Sequence, residues 1–232
     1  MRYTYILLDS DNTLMDFDAA EDYGLTKTLK ELGCPCTERE KQAYTQINAA
    51  LWEQFNHGEV TREFLMVERF RSFFEKMGFP KTDYRLVNER YKKNLGSCAA
   101  LIPGALEFCR EISGEGKLYI LTNGAADVQT SRFHASPLKE YIADIFISEV
   151  TGYQKPQKEY FDYVFARIPG FEKDKAVMIG DSLSSDIAGA NHAGVASCWY
   201  NPGGKACSGD VHCDYIVENY EQMKRVIRGE EV

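Results

Sequence analysis

Four short polar clusters in this chain carry residue types able to do chemistry: Asp9-Ser10-Asp11-Asn12-Thr13, Thr122-Asn123-Gly124, Gly152-Tyr153-Gln154-Lys155-Pro156 and Gly180-Asp181-Ser182-Leu183-Ser184-Ser185-Asp186. Asp9 and Asp11 lie two residues apart, so on chain leaving a strand their side chains can point into one pocket. Close carboxylates repel, and a hard divalent cation with oxygen ligands relieves that repulsion. Asp181 adds a third oxygen donor, and Asp186 a fourth carboxylate at or just behind it. Magnesium suits such a set, because it takes few carboxylates, keeps waters and bridges to a phosphate oxygen. Thr122 offers a hydroxyl and Asn123 an amide to further phosphate oxygens, and Lys155 offers compensating positive charge. One carboxylate can then act as a covalent nucleophile. Together these types suggest phosphoryl transfer.

Each cluster alone also has an ordinary structural reading. Thr122-Asn123-Gly124 suits a turn, with glycine supplying a permissive backbone. Lys155 before Pro156 suits a solvated lysine at a helix start. Gly180-Asp181 suits a turn, with Asp186 capping the helix behind it. What favours chemistry is where the clusters fall. Short apolar runs at Tyr5–Leu8, Leu118–Leu121, Ile145–Ile147, Val177–Ile179, Ser197–Tyr200 and Tyr215–Val217 lack clean alternation. Strands buried on both faces of a parallel sheet read this way. Helix-length segments Ala105–Ser113, Gln157–Ile168 and Asp186–Ala193 lie between them, with start signals at Pro103-Gly104 and Pro156. The alternation predicts a doubly wound α/β core. Ligands of such sheets bind outside the carboxyl ends of the strands, which is where all four clusters would arrive.

The stretch from Asp18 to Leu95 breaks the rhythm. It holds no convincing strand, but Ile47, Leu51 and Phe55, and Leu65, Val67, Phe70, Phe73 and Phe74, recur at roughly helical spacing. The expected organisation is therefore a core of residues 1–17 and 96–232, with residues 18–95 as an inserted helical bundle. Beyond it, Arg228–Val232 reads as a fraying tail.

With 44% hydrophobic and 27% charged residues, the chain has material for an ordinary core. Lys+Arg 27 against Asp+Glu 35 gives net charge -8, which disfavours non-specific binding to a nucleic-acid polymer. A small phosphorylated metabolite stays compatible, since a local cation and lysine outweigh the global field. No apolar run suits a membrane span or signal core, and the 7 cysteines form no disulfide framework, so a cytoplasmic protein is expected. Cys34 and Cys36 lie too close for a zinc knuckle; Cys207, His212 and Cys213 are zinc ligands on paper, but buried or half-exposed thiols suit them better. Monomer or homodimer is the default assembly.

In their order, DSDNTL, ILTNG, GYQKP and GDSLSSD resemble the four motifs of the haloacid dehalogenase superfamily, and the insertion after the first resembles its helical cap of the first type. The resemblance spans the whole chain and implies a Rossmann-like parallel-sheet core and a phosphatase. It implies Asp9 as the nucleophile that becomes a phosphoaspartate. Asp11 would protonate the leaving oxygen, then activate water, with its backbone carbonyl on magnesium. Thr122 and the backbone around Asn123 would position the phosphoryl group, Lys155 would steady nucleophile and phosphate, Asp181 would bind the metal, and Asp186 would support its waters. True dehalogenases of this fold lack an acid at the place of Asp11, so dehalogenation is not expected. The runs DSDNTLMDFD, ALWEQFNHGEVTREFLMVERF, GYQKP and WYNPGG resemble the bacterial pyrimidine 5'-nucleotidases acting on non-standard nucleotides. A nucleoside monophosphate is thus the expected substrate, with sialic acid phosphate or phosphoglycolate as alternatives and a phosphomutase as the alternative of another class. In such enzymes the cap selects the leaving group. Trp52, Phe55, His57, Arg62 and Arg69 are candidate contacts, but packing suits the two aromatics better and solvated pairing with Glu59, Glu63 and Glu68 suits the arginines. For Phe17, beside Asp18 at the expected hinge, packing alone suffices.

Overall fold

The computed structural model describes residues 1–207 and 211–231. Six strands form one all-parallel sheet: β1 Tyr5–Leu8, β2 Lys117–Thr122, β3 Ile142–Ile147, β4 Ala176–Gly180, β5 Ala196–Tyr200 and β6 Tyr215–Val217. Their order is β3-β2-β1-β4-β5-β6. The chain winds one way from β1 to β2 and β3 and the other way to β4, β5 and β6, so the order reverses at β1. That reversal opens the crevice in which doubly wound sheets bind ligands.

The strands are buried on both faces, which is why their sequences read as apolar runs. Ile6, Leu8, Ile120, Val177 and Ile179 pack on one side with Phe108, Ile112, Met223 and Ile227. Leu7, Tyr119, Leu121 and Met178 pack on the other with Tyr160, Phe161 and Val164. The covering helices are α5 Ala105–Ile112 and α10 Tyr220–Arg228 for the first face, and α8 Lys158–Phe165 for the second. β3 begins three residues before the expected run, because its first half carries the exposed Ala143 and Asp144 and lacks an apolar signature. In place of a frayed tail, Arg228 closes α10 and pairs with Glu111 at 2.7 Å and with Glu115. Val232, the last residue of that expected tail, lies outside the described residues.

The chain divides into two compact units, Met1–Phe17 with Ala99–Val232, and Asp18–Cys98. The second holds α2 Glu38–Asn56, α3 Arg62–Met77 and α4 Tyr84–Gly96, with most of α1 Phe17–Glu31. Its ends are written locally: Thr37 and Glu40 form a capping box, Asp83 accepts from Arg85 N–H at 2.9 Å, and Gly78 ends α3 at φ 69. Tyr44, Phe70, Phe73 and Tyr91 form a buried aromatic cluster. Arg62 lies over the rings of Trp52 and Phe55, whereas His57 is exposed beside Glu53 and Glu59.

Arg69 departs from expectation. It is buried and makes no solvated pair; its guanidinium donates to Asn48 Oδ1 at 3.2 Å and Asn88 Oδ1 at 2.6 Å. Asn48 donates in turn to Glu21 Oε2 at 2.7 Å, and Thr45 donates to Glu21 Oε1 at 2.6 Å. Each of the four helices thus contributes to one buried polar chain. Burial raises the Glu21 carboxyl above its usual range, against the pull of Thr45, Asn48 and Arg69. Removing the guanidinium strands polar groups away from water, so Arg69→Ala should lower stability by about 3–5 kcal/mol, with Arg69→Lys recovering only part of it because an ammonium lacks the fork. Urea unfolding followed by circular dichroism reads this; a loss under about 0.5 kcal/mol would show the chain to be dispensable.

Candidate active site

The three central strands each deliver a polar residue at their carboxyl ends. Asp9 follows β1, and its N–H donates to Ile179 O of β4 at 2.9 Å. Thr122 is the last residue of β2, and Asp181 follows β4. Lys155 arrives differently: the short helix α7 Ser148–Thr151, unforeseen in the sequence, separates β3 from its loop.

Lys155 is not a solvated lysine. It is 1% exposed, and its ammonium donates to Asp9 Oδ1 at 2.6 Å, Asp186 Oδ1 at 2.7 Å and Leu121 O at 2.7 Å. An ammonium has three N–H groups, and all three are engaged. Burial disfavours its charge, but Asp186 and Asp9 outweigh burial and hold it protonated. Asn123 fixes the loop that carries it. Its side chain accepts from Lys155 N–H at 3.0 Å and donates to Lys155 O at 2.8 Å. The oxygen and one N–H of the Asn123 amide thus serve the Lys155 backbone. Thr122 Oγ1 accepts from Gly124 N–H at 3.0 Å, tightening the turn after β2.

Asp186 does not cap a helix. It is fully buried in a π-helical turn, Leu183–Ile187, that leads into α9 Ala188–Ala193; Ser182 caps the turn, while Asp186 Oδ2 accepts from Ser182 N–H at 3.1 Å. A side chain on Gly180 would have no room, because an added Cβ would lie 2.2 Å from Asp186 Oδ2. Trp199 Nε1 donates to Asp181 O at 2.8 Å, bracing that loop from β5.

Asp9, Asp181 and Asp186 each offer one carboxylate oxygen, all within 4.8 Å of one another. Burial raises the Asp9 carboxyl well above its usual range against the pull of Lys155, and the charges of Asp186, Asp181 and Asp11 add to it. Burial and then Asp186 push the Asp181 carboxyl from its usual 3.8 to about 7. One ammonium among these carboxylates leaves negative charge unbalanced, and an all-oxygen donor set fits a hard divalent cation such as magnesium. Among the described residues, Cys207, His212 and Cys213 form no such group, and none of the seven cysteines is in a disulfide.

Asp11 is brought to the same edge but held from another side. α6, Ala126–Ala135, supplies Arg132, whose Nη1 donates to Asp11 Oδ1, and Gln129, whose Nε2 donates to Asp11 Oδ2 at 2.6 Å. Gln129 Oε1 also accepts from Ser10 Oγ at 3.1 Å. Neither residue stands out in the sequence, since both read as ordinary polar helix positions. The available signal is Gly124, where an added Cβ would lie 2.2 Å from Gln129 Nε2.

The sequence model of the haloacid dehalogenase-like hydrolases matches residues 3–194. The chain is 36% identical over 224 residues to pyrimidine 5'-nucleotidase PynA of Streptococcus pneumoniae, covering 96% of this chain and 94% of that one. It is 31% identical over 201 residues to pyrimidine 5'-nucleotidase YjjG of Escherichia coli, covering 87% of each. A crystal structure of the HAD-hydrolase YfnB of Bacillus subtilis, bound to magnesium, superposes with TM-score 0.93 at 36% identity, over 98% of this chain and 99% of that one. Among the described residues no helix is long and apolar enough to cross a membrane.

The raised Asp181 carboxyl gives a prediction of definite sign. A folded state that holds its proton up to about 7, against 3.8 when unfolded, binds more protons than the unfolded chain across that window. Stability therefore falls as pH rises through it. In chelator, wild type should lose stability relative to Asp181→Asn as pH climbs from 4 towards 7, and magnesium should restore wild type alone. Thermal melts of both proteins test this; a pH-independent difference would remove Asp181 from the cluster.

Proposed function

The chain belongs to the haloacid dehalogenase-like hydrolases, and we propose that it is a magnesium-dependent phosphatase acting on nucleoside 5'-monophosphates, of pyrimidines first. The observation that carries the chemistry is the grouping of buried Asp9 and Asp186, both bonded to Lys155, with half-buried Asp181 at the sheet's reversal point. The substrate class is supported by the names of PynA and YjjG.

In this reading Lys155 holds Asp9 by Oδ1, which fixes the carboxylate and leaves Oδ2 to attack phosphorus. The bond from Asp9 to phosphorus forms as the bond from phosphorus to the ester oxygen breaks. Asp11 gives that oxygen a proton, then takes one from the water that hydrolyses the phosphoaspartate. Thr122, in the turn beside Asp9, holds the phosphoryl oxygens. Asp9 and Asp181 would hold the magnesium together with the Asp11 carbonyl, with Asp186 supporting it from behind. When bound, the cation neutralises charge on the carboxylates and the transferring group. Positioning and electrostatic stabilisation, rather than further covalent chemistry, are what phosphoryl transfer needs.

A magnesium-dependent phosphate-release screen over pyrimidine and purine monophosphates, sialic acid phosphate and phosphoglycolate should give the highest kcat/KM on pyrimidine monophosphates. A higher value on another class would move the substrate and keep the chemistry. Asp9→Asn should lose about three orders of magnitude or more in kcat and trap no phosphoprotein on acid quenching; near-normal turnover would refute the covalent step. Chelation should abolish activity, magnesium should restore it, and calcium should restore little, since its longer, looser coordination misplaces the phosphate. Full activity after exhaustive chelation would refute the metal.

A further inference from the structure

Both oxygens of Asp11 are engaged by donors from one helix. Arg132 and Gln129 stand one turn apart on α6, Arg132 on Oδ1 and Gln129 on Oδ2. Arg132 is 0% exposed, while its carboxylate partner is 25% exposed. A guanidinium so deep is tolerated only against a partner of opposite charge. The side chain of Arg132 is thus anchored by Asp11, and Asp11 by it. Gln129 is fixed separately, by Ser10 Oγ and by the space above Gly124.

The two contacts differ in kind. The bond to Arg132 pairs opposite charges, whereas Gln129 offers the carboxylate a neutral amide. A carboxyl that donates a proton must present its O–H to the leaving oxygen, whereas an oxygen held against an N–H donor presents a lone pair in that direction. Resting on the phosphatase reading above, we propose that Arg132 and Gln129 are positioning residues for Asp11: Arg132 is the fixed pivot at Oδ1, and Gln129 is the yielding contact that releases Oδ2 to the ester oxygen. The proton balances over the cycle: Asp11 in its acid form passes the Oδ2 proton to the ester oxygen as that oxygen's bond to phosphorus breaks, Oδ2 as a carboxylate oxygen takes up the Gln129 N–H, and Asp11 regains a proton from the water that hydrolyses the phosphoaspartate.

The signature is a dependence on the leaving group. p-Nitrophenolate departs from p-nitrophenyl phosphate without a proton, whereas the ribose oxygen of uridine 5'-monophosphate needs one. Because kcat/KM reports only steps up to leaving-group departure, it isolates the acid step from later hydrolysis. Arg132→Met should lower kcat/KM on uridine 5'-monophosphate roughly a hundredfold, within the range of general acid catalysis, and on p-nitrophenyl phosphate by less than about fivefold. Arg132→Lys should recover part of the loss. Gln129→Met, which is less disruptive to the core, should show the same split at smaller amplitude and keeps the test open if Arg132→Met fails to fold. Asp11→Asn run in parallel separates the two readings. A split in Asp11→Asn with equal losses, or no losses, on both esters in the folded Arg132 and Gln129 variants would overturn this positioning alone. No split in Asp11→Asn itself would overturn the acid role on which it rests.

Discussion

A lysine ammonium taken out of water is among the costlier things a fold can contain unless every proton finds an acceptor and the charge finds a partner. Lys155 meets both conditions through Asp9, Asp186 and Leu121 O. Those acceptors come from the end of β1, the π-helical turn after β4 and the last residues of β2. The ion pair therefore ties together the three strands that flank the reversal of the sheet. It also keeps Asp9 oriented in an environment that otherwise disfavours its charge. The same lysine is held by its backbone to Asn123, so the loop is fastened at both ends of one residue.

The sheet gives this grouping its rigidity. β1 is hydrogen-bonded to β2 and β4 along its whole length, and its side chains are buried on both faces. A carboxylate at the end of such a strand has little freedom to retreat from its neighbours. Repulsion among Asp9, Asp181 and Asp186 is then not relieved by movement; it is met by holding protons, as the raised Asp9 and Asp181 carboxyls do, or by a divalent cation. Membership in the haloacid dehalogenase-like hydrolases agrees with this arrangement, and YfnB, so similar in fold, has been crystallised with magnesium.

Much of this was legible in the residues. The strands were readable because burial on both faces leaves apolar runs, and the missed start of β3 is the stretch where an edge strand turns Ala143 and Asp144 to solvent. The acidic and lysine clusters are legible because four of them fall in one order along an alternating α/β chain, although each alone has an ordinary reading. Partners were not. Lys155 is legible as positive charge for the nucleophile and phosphate, but a single sequence does not show that carboxylates 31 and 146 residues away in the chain bury it. Arg132, Gln129 and Arg69 were illegible as buried residues for a related reason. On a helix a polar residue's setting depends on what packs against its face, and that is a tertiary property. Asp186 reads as metal support with a helix cap as its ordinary alternative, and the capping place belongs to Ser182.

Gly124 and Gly180 sit beside this chemistry without taking part in it. Neither is needed for a left-handed backbone; each is needed because Gln129 or Asp186 occupies the volume where its side chain would be. Emptiness at these points is as much a part of the machinery as charge. A single methyl group at either would press on an amide or a carboxylate whose place matters to a tenth of a nanometre, and the damage would be registered at Asp11 or Lys155 rather than at the altered position. Diversity introduced only at polar positions would leave these narrowest gates unexplored, and a sequence drifting under selection for activity would meet them as walls raised by residues that have no functional group at all.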